Sequence, residues 1–291
     1  HLRSKGGSTA LMFAAQQPEA VFTKLVLAAG GKPNEVLPKG GVTPLIIASA
    51  MAHTDVVVAL LEAKANPNAV DSRGFTPLHH AVRDRRALKI VNALLDKGAD
   101  PNIRLKQAKP VTFTTTYIAL RGATPLVIAA EINNLDAVKA LIAKGADPLI
   151  PTESGTTALM LAAGAGTDVV RPRNARERDT AIQTVKLLVE RGAGINDVGE
   201  YGWRPIHAAS YQGLNEVIEF LVSKGADVNV MDEFGQTPLS IASTVMTRKI
   251  GAQVLQIPRI YRRATAELLL KLGAIPLDKS GVDIVHQRNS G

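Results

Sequence analysis

The chain has 291 residues, a formal net charge of +8, an aromatic content of 4% and no cysteine. Without cysteine, disulfide scaffolds, thiolate zinc fingers and cysteine nucleophiles are excluded. No apolar run is long enough to span a membrane as a helix, and the first residues of this sequence show no n-region and h-region pair of a signal peptide.

In chain order, one phrase recurs: Thr9-Ala10-Leu11, Thr43-Pro44-Leu45, Thr76-Pro77-Leu78-His79, Thr124-Pro125-Leu126, Thr157-Ala158-Leu159, Arg204-Pro205-Ile206-His207 and Thr237-Pro238-Leu239. The intervals are 34, 33, 48, 33, 47 and 33 residues, so two gaps hold one period plus about 14 inserted residues. A fixed period of this length marks a stacked architecture in which each unit buries its apolar face only against its neighbours.

Each copy begins with helix-start chemistry. Thr can cap a helix, and Pro fits the first helical position, where its missing N–H is not needed. Leu and Ala give a short inner helix; a longer apolar stripe, Val56, Val57, Leu60 and Leu61 in the second copy, predicts an amphipathic outer helix. Gly98, Gly145, Gly192 and Gly225 follow the last apolar pair of their copies and are expected to hold positive φ. Asp-Pro-Asn or Asp-Val-Asn then leads to turns such as Asp71-Ser72-Arg73-Gly74 and Asp232-Glu233-Phe234-Gly235, expected to project between helix pairs.

These residues, in seven copies, resemble the ankyrin repeat family over roughly residues 4 to 275. The resemblance implies an all-α fold, an ankyrin-repeat solenoid of antiparallel helix pairs with projecting β-turn fingers. It sets repeats near 4–35, 38–70, 71–103, 119–151, 152–197, 199–230 and 232–275, within an array over 1–276, and a C-terminal cap or tail over 277–291. Ala10, Ala158 and Arg204 depart from the phrase, so weaker helix starts are expected there. His1 is not an initiator residue and Leu2 to Gly7 already read as a turn, so a processed or truncated product of a longer array is expected.

Three insertions interrupt the period, near 104–120, 167–179 and 247–259. The first carries Val111 to Ile118, rich in β-branched and aromatic residues, and is expected to be an elongated β-finger. The second, Arg-rich, and the third are expected as loops between the two helices of copies five and seven. Basic residues gather at Arg83, Arg85 and Arg86, at Arg171, Arg173, Arg176 and Arg178, and at Arg248, Lys249, Arg259, Arg262 and Arg263. They predict a basic edge opposite the fingers, attractive to anions or simply solvated. No aromatic residues interleave with these charges, as base stacking would require.

No catalytic, cofactor-binding or metal-binding constellation is present. His79 and His207 stand at the fourth place of the phrase, where hydrogen bonding within the turn is expected, and no His-Glu-x-x-His spacing occurs. Gly164 to Thr167 lacks the Gly-Lys-Ser/Thr ending of a phosphate loop. In the ankyrin family, partners usually lie on a concave face built from turn tips and inner helices. Carried onto this chain, that rule selects Tyr201, Trp203, Tyr211, Phe234, Phe75, Arg73 and Met231 as partner-binding residues, with His80 also on the inner helix. The function expected is a non-enzymatic, monomeric protein-interaction scaffold, with nucleic acid not an expected partner. The alternatives are a charge-driven adaptor for an anionic partner, nucleic acid or a membrane surface, through the basic inter-helix edge, and a regulatory or targeting module of an enzyme encoded upstream. Cysteine-free composition fits a soluble cytoplasmic protein and an exported one that has lost its leader alike.

Overall fold

The computed structural model describes residues 4–106, 120–165, 174–243, 246–250, 253–257 and 262–276, the two five-residue segments by backbone alone. The described residues divide into two compact units, the first reaching Ile150 and the second starting at Pro151.

In the first unit, four helix pairs follow one another: α1 (Ala10–Ala15) and α2 (Ala20–Ala28), α3 (Pro44–Ala50) and α4 (Thr54–Glu62), α5 (Pro77–Ala81) and α6 (Leu88–Asp96), α7 (Pro125–Glu131) and α8 (Leu135–Ala143). The inner helices α1, α3, α5 and α7 contact in sequence, and so do the outer helices α2, α4, α6 and α8. In the second unit, α9 (Ala158–Ala162), α11 (Pro205–Gln212) and α13 (Pro238–Ser243) form the inner row. The outer row is α10 (Ala175–Glu190), α12 (Asn215–Ser223) and α14 (Arg263–Lys271). The core is thin and built from small and branched side chains, with Leu45, Leu60, Leu78, Leu94, Leu126, Leu141 and Leu159 fully buried. On α2, by contrast, Val21, Phe22 and Leu25 are exposed and only Thr23 is buried.

The capping expectation is met at Thr9, Thr43, Thr76, Thr124 and Thr157, whose side chains each accept the backbone N–H three residues on. Replacement of Pro by Ala10 or Ala158 therefore leaves the cap intact. Arg204 has no side-chain cap; instead its N–H donates to His207 Nδ1 at 3.1 Å.

Outer helices end in the left-handed region, with φ of 85° at Gly98, 86° at Gly145, 92° at Gly192 and 96° at Gly225. In copy two the same position is Lys64, held at φ 63°. A side chain with a Cβ is strained there by roughly 1 kcal/mol or more. Lys64→Gly is therefore expected to raise the free energy of unfolding by about 1 kcal/mol. Urea denaturation checks this, and a destabilised variant would contradict it.

Past these ends, asparagines tie neighbouring repeats together. In the first unit, Asn34, Asn68 and Asn102 donate from Nδ2 to the carbonyls of Lys64, Gly98 and Gly145 at 3.1, 2.9 and 2.9 Å. Their Oδ1 atoms accept from the N–H of Asn66, Asp100 and Asp147 at 2.7, 2.7 and 2.8 Å. In the second unit, Asn196 and Asn229 donate likewise to Gly225 and Gly273 at 3.0 and 3.2 Å. Each amide thus satisfies a carbonyl orphaned at a helix end.

Two insertions differ from expectation. Residues 174–179, expected within a loop, open the 16-residue helix α10, where Asn174 and Glu177 form a reciprocal capping box. The third insertion holds a two-stranded antiparallel hairpin, β1 (Met246–Ile250) and β2 (Gln253–Ile257), with Met246 opposite Ile257. The finger expected over Val111 to Ile118 lies outside the described residues. Its base is described: the N–H of Leu105 donates to the Ala123 carbonyl and that of Gly122 to the Leu105 carbonyl, both at 2.9 Å.

Candidate protein-binding surface

Two adjacent turn fingers of the second unit carry four of the seven expected site residues, Tyr201, Trp203, Met231 and Phe234, and Tyr211 follows on α11. The finger of copy six closes through the N–H of Gly199 on the Trp203 carbonyl at 2.7 Å, around a short 3₁₀ turn over Glu200–Gly202. Tyr201 sits in the left-handed region at φ 60°. The finger of copy seven closes through the N–H of Asp232 on the Gln236 carbonyl at 3.0 Å, and Asp232 Oδ1 accepts the N–H groups of Phe234 and Gln236 at 2.8 and 2.9 Å. A backbone bond from Glu233 N–H to the Tyr201 carbonyl, 2.9 Å, joins the two fingers.

On this frame Tyr201 and Phe234 lie with ring centroids 5.9 Å apart, and Trp203 meets Tyr211 edge-on at 5.7 Å. Both spacings fall in the favourable range for aromatic pairs. Tyr201, Trp203 and Phe234 are half-buried, while Met231 and Val198 are exposed. Tyr211 departs from the expected surface position: it is buried against Ile241 with Trp203 packed over it. The cause is its place on α11, which packs on α13, so the ring is enclosed between Ile241 and Trp203.

Arg73 and Phe75 form their own cluster in the first unit. Phe75 is also buried rather than presented, its N–H donating to Asp71 Oδ1 at 2.9 Å and its ring 5.2 Å from that of His80. The exposed Arg73 guanidinium lies 4.9 Å over the Phe75 ring and 3.5 Å from Asp71 Oδ2.

The histidines of the phrase serve the scaffold. His79 Nδ1 accepts the Thr76 N–H at 3.2 Å, leaving Nε2–H to donate to the Ala123 carbonyl of the next repeat at 3.3 Å. His207 repeats the pattern between Arg204 N–H and the Val230 carbonyl. Burial lowers both to about 4, against the partial compensation of those carbonyls.

The basic residues are partly consumed internally. Arg86 pairs with Asp84 at 2.9 Å, Arg263 with Glu267 at 2.8 Å, and Arg85 donates to the Ile132 carbonyl. Arg262 is half-buried, its Nε–H on the Tyr211 carbonyl at 2.9 Å, and burial lowers its pKa. Arg176 and Arg178 are exposed on α10; Arg171, Arg173 and Arg259 lie outside the described residues. Among the described residues no group of three or more His, Asp or Glu side chains could hold a metal ion, and no helix is long and apolar enough to cross a membrane.

Stacked pairs of short helices with capped starts, left-handed ends and projecting turns define a helical repeat protein. The chain belongs to the ankyrin repeat family: a sequence profile of ankyrin repeats matches residues 11–104, 107–172 and 175–255. Among solved structures, the human ASB11 ankyrin repeat domain matches with a TM-score of 0.65 at 24% identity, covering 92% of this chain and 100% of that one. The ankyrin repeat domain of Bcl-3, a member of the IkappaB family, matches with a TM-score of 0.59 at 25% identity, covering 91% and 100%. In sequence, an ankyrin repeat protein of Acanthamoeba polyphaga mimivirus is 36% identical over 85 residues, which is 28% of this chain and 15% of that protein. The human transient receptor potential cation channel subfamily A member 1 is 26% identical over 147 residues, 50% of this chain and 10% of the channel. The chain thus spans a small fraction of the curated relatives it matches. Ankyrin repeats are generally protein–protein interaction modules, and they typically carry no catalysis.

Proposed function

We propose that this chain is a non-enzymatic interaction scaffold whose protein partner lies across the concave face, chiefly on the finger tips of repeats six and seven. Tyr201, Trp203, Phe234 and Met231 would make the contact, Tyr211 would brace Trp203 from below, and the Arg73–Phe75 turn would be a secondary contact. The observation that carries this reading is concentration. A chain with one tryptophan, four tyrosines and six phenylalanines places three half-buried rings and an exposed methionine on two hydrogen-bonded fingers. Rings already fixed by packing lose little freedom on binding, which is what makes aromatic residues effective anchors.

Affinity for a captured partner should fall by about 2 kcal/mol or more, near thirtyfold, in Trp203→Ala. It should depend only weakly on salt. Binding that survives Trp203→Ala and collapses with added salt would instead locate the contact on the arginine edge, because phosphate contacts release counterions.

A further inference from the structure

Repeats three and seven use the same finger closure but end it differently. Asp71 Oδ1 accepts the N–H groups of Arg73 and Phe75 at 2.8 and 2.9 Å, as Asp232 Oδ1 accepts those of Phe234 and Gln236. In repeat three the second oxygen has company: Asp71 Oδ2 lies 3.5 Å from the Arg73 guanidinium and 4.0 Å from His80 Nε2. The positions two and nine residues past Asp232 are Phe234 and Ile241, neither of which can meet a charge. Asp232 is 7% exposed, and its Oδ2 is buried with no hydrogen bond of ordinary geometry and no cationic group of the described residues to meet it.

Burial pushes the Asp232 carboxyl upward, and Glu233 adds to the rise; hydrogen bonds from the N–H groups of Gln236 and Phe234 oppose it, as in smaller measure does one from the Trp203 indole. Among the described residues no cation contributes to that balance. The Trp203 indole and the Phe234 N–H meet the carboxyl, the Tyr201 ring lies 5.9 Å from that of Phe234, and Glu200 and Glu233 sit on the same tips. The neighbouring Arg204 is directed to the Asn196 carbonyl at 3.4 Å. A buried carboxylate without a counter-charge is costly even when hydrogen-bonded, and aromatic faces attract guanidinium and ammonium groups.

We propose that the tips of repeats six and seven receive an arginine or lysine side chain of the protein partner, which stacks on these rings and gives Asp232 the positive charge that Arg73 gives Asp71. The inference rests on the surface reading above and deepens it by naming the partner's chemistry. The net charge of +8 does not oppose it, since charges more than about 8–10 Å away are largely screened at physiological salt. Because Oδ2 has no exposed surface, the entering cation acts across the indole, and the Trp203 emission reports its arrival.

The test is a titration of the full chain with an acetylated tetra-arginine amide at about 150 mM salt, read by the emission of Trp203, the single tryptophan. Tetra-citrulline and tetra-glutamate serve as neutral and acidic comparators. A saturable change is expected with arginine alone. Asp232→Asn, which keeps an oxygen for the two N–H groups, should weaken it about tenfold or more, and Glu219→Gln on α12 should not. Phe234→Arg grafts the solution of repeat three and should abolish peptide binding while the fold persists, a readout independent of how Asp232→Asn folds. Equal binding by Asp232→Asn and the unaltered chain, equal binding of the citrulline peptide, or undiminished binding by folded Phe234→Arg overturns the inference. If a captured partner still needs Trp203 but ignores Asp232→Asn, the surface reading stands and this inference alone fails.

Discussion

Acidification from pH 7 to pH 4.5 should strip several kcal/mol from the fold, and His79→Leu should remove a defined share of that loss. His79, His80 and His207 are each lowered to about 4, in every case first by burial. In the unfolded chain an imidazole takes its proton near pH 6.5. Between about 6.5 and 4 the unfolded state therefore holds more protons than the folded one, and stability falls as pH falls. The slope is about 1.4 kcal/mol per pH unit for each group, reaching roughly 3 kcal/mol per histidine near pH 4. His79→Leu will be less stable at pH 7, having lost its bonds to the Thr76 N–H and the Ala123 carbonyl. Its stability should also decline less steeply, by about 1.4 kcal/mol per unit between pH 6 and 4.5. Urea unfolding at a series of pH values checks this. Parallel profiles for the two proteins would show that His79 is not held neutral.

A second large effect separates two glycines with the same backbone angle. Gly98 and Gly74 have φ of 85° and 86°. A Cβ on Gly98 meets nothing within 4 Å, whereas on Gly74 it falls 2.5 Å from the backbone nitrogen of Lys106 and 3.2 Å from that residue's Cβ. Gly98→Ala should cost about 1 kcal/mol, the left-handed strain alone. Gly74→Ala adds a backbone collision and should cost about 3 kcal/mol or more. The distance between fingers, and not the turn itself, sets the larger figure. Equal losses in the two variants would mean the third finger does not pack on the chain at Lys106.

The features that were legible in the sequence are local ones. Thr caps, Pro at the first helical turn and glycine ends depend on residues within four positions of each other, so Thr76-Pro77-Leu78-His79 announces its own geometry. The asparagine ladder is different: Asn68 acts on Gly98 and Asp100, about one period away, and nothing near Asn68 signals it. The start of α10 was legible but masked by its arginines; Asn174 and Glu177 at capping-box spacing outweigh that composition. The hairpin in the third insertion is not announced by its strands, which are five residues each and carry no run of β-branched residues like that of Val111 to Ile118. Tyr211 and Phe75 are indistinguishable in sequence from presented aromatics, since their burial is decided by which neighbour lies over them. Asp232 could have been found by aligning its repeat with that of Asp71 and seeing Arg73 and His80 replaced by Phe234 and Ile241.

The central claim is that a protein partner contacts the tips of repeats six and seven. A photo-crosslinking amino acid placed in the full chain instead of Phe234 or Met231, and for comparison instead of Arg86 or Arg176, tests it most directly. The account predicts covalent protein adducts from positions 234 and 231 that vanish when Trp203→Ala is added, and none of comparable yield from 86 or 176. Adducts formed mainly at 86 and 176, and lost at high salt, would contradict it.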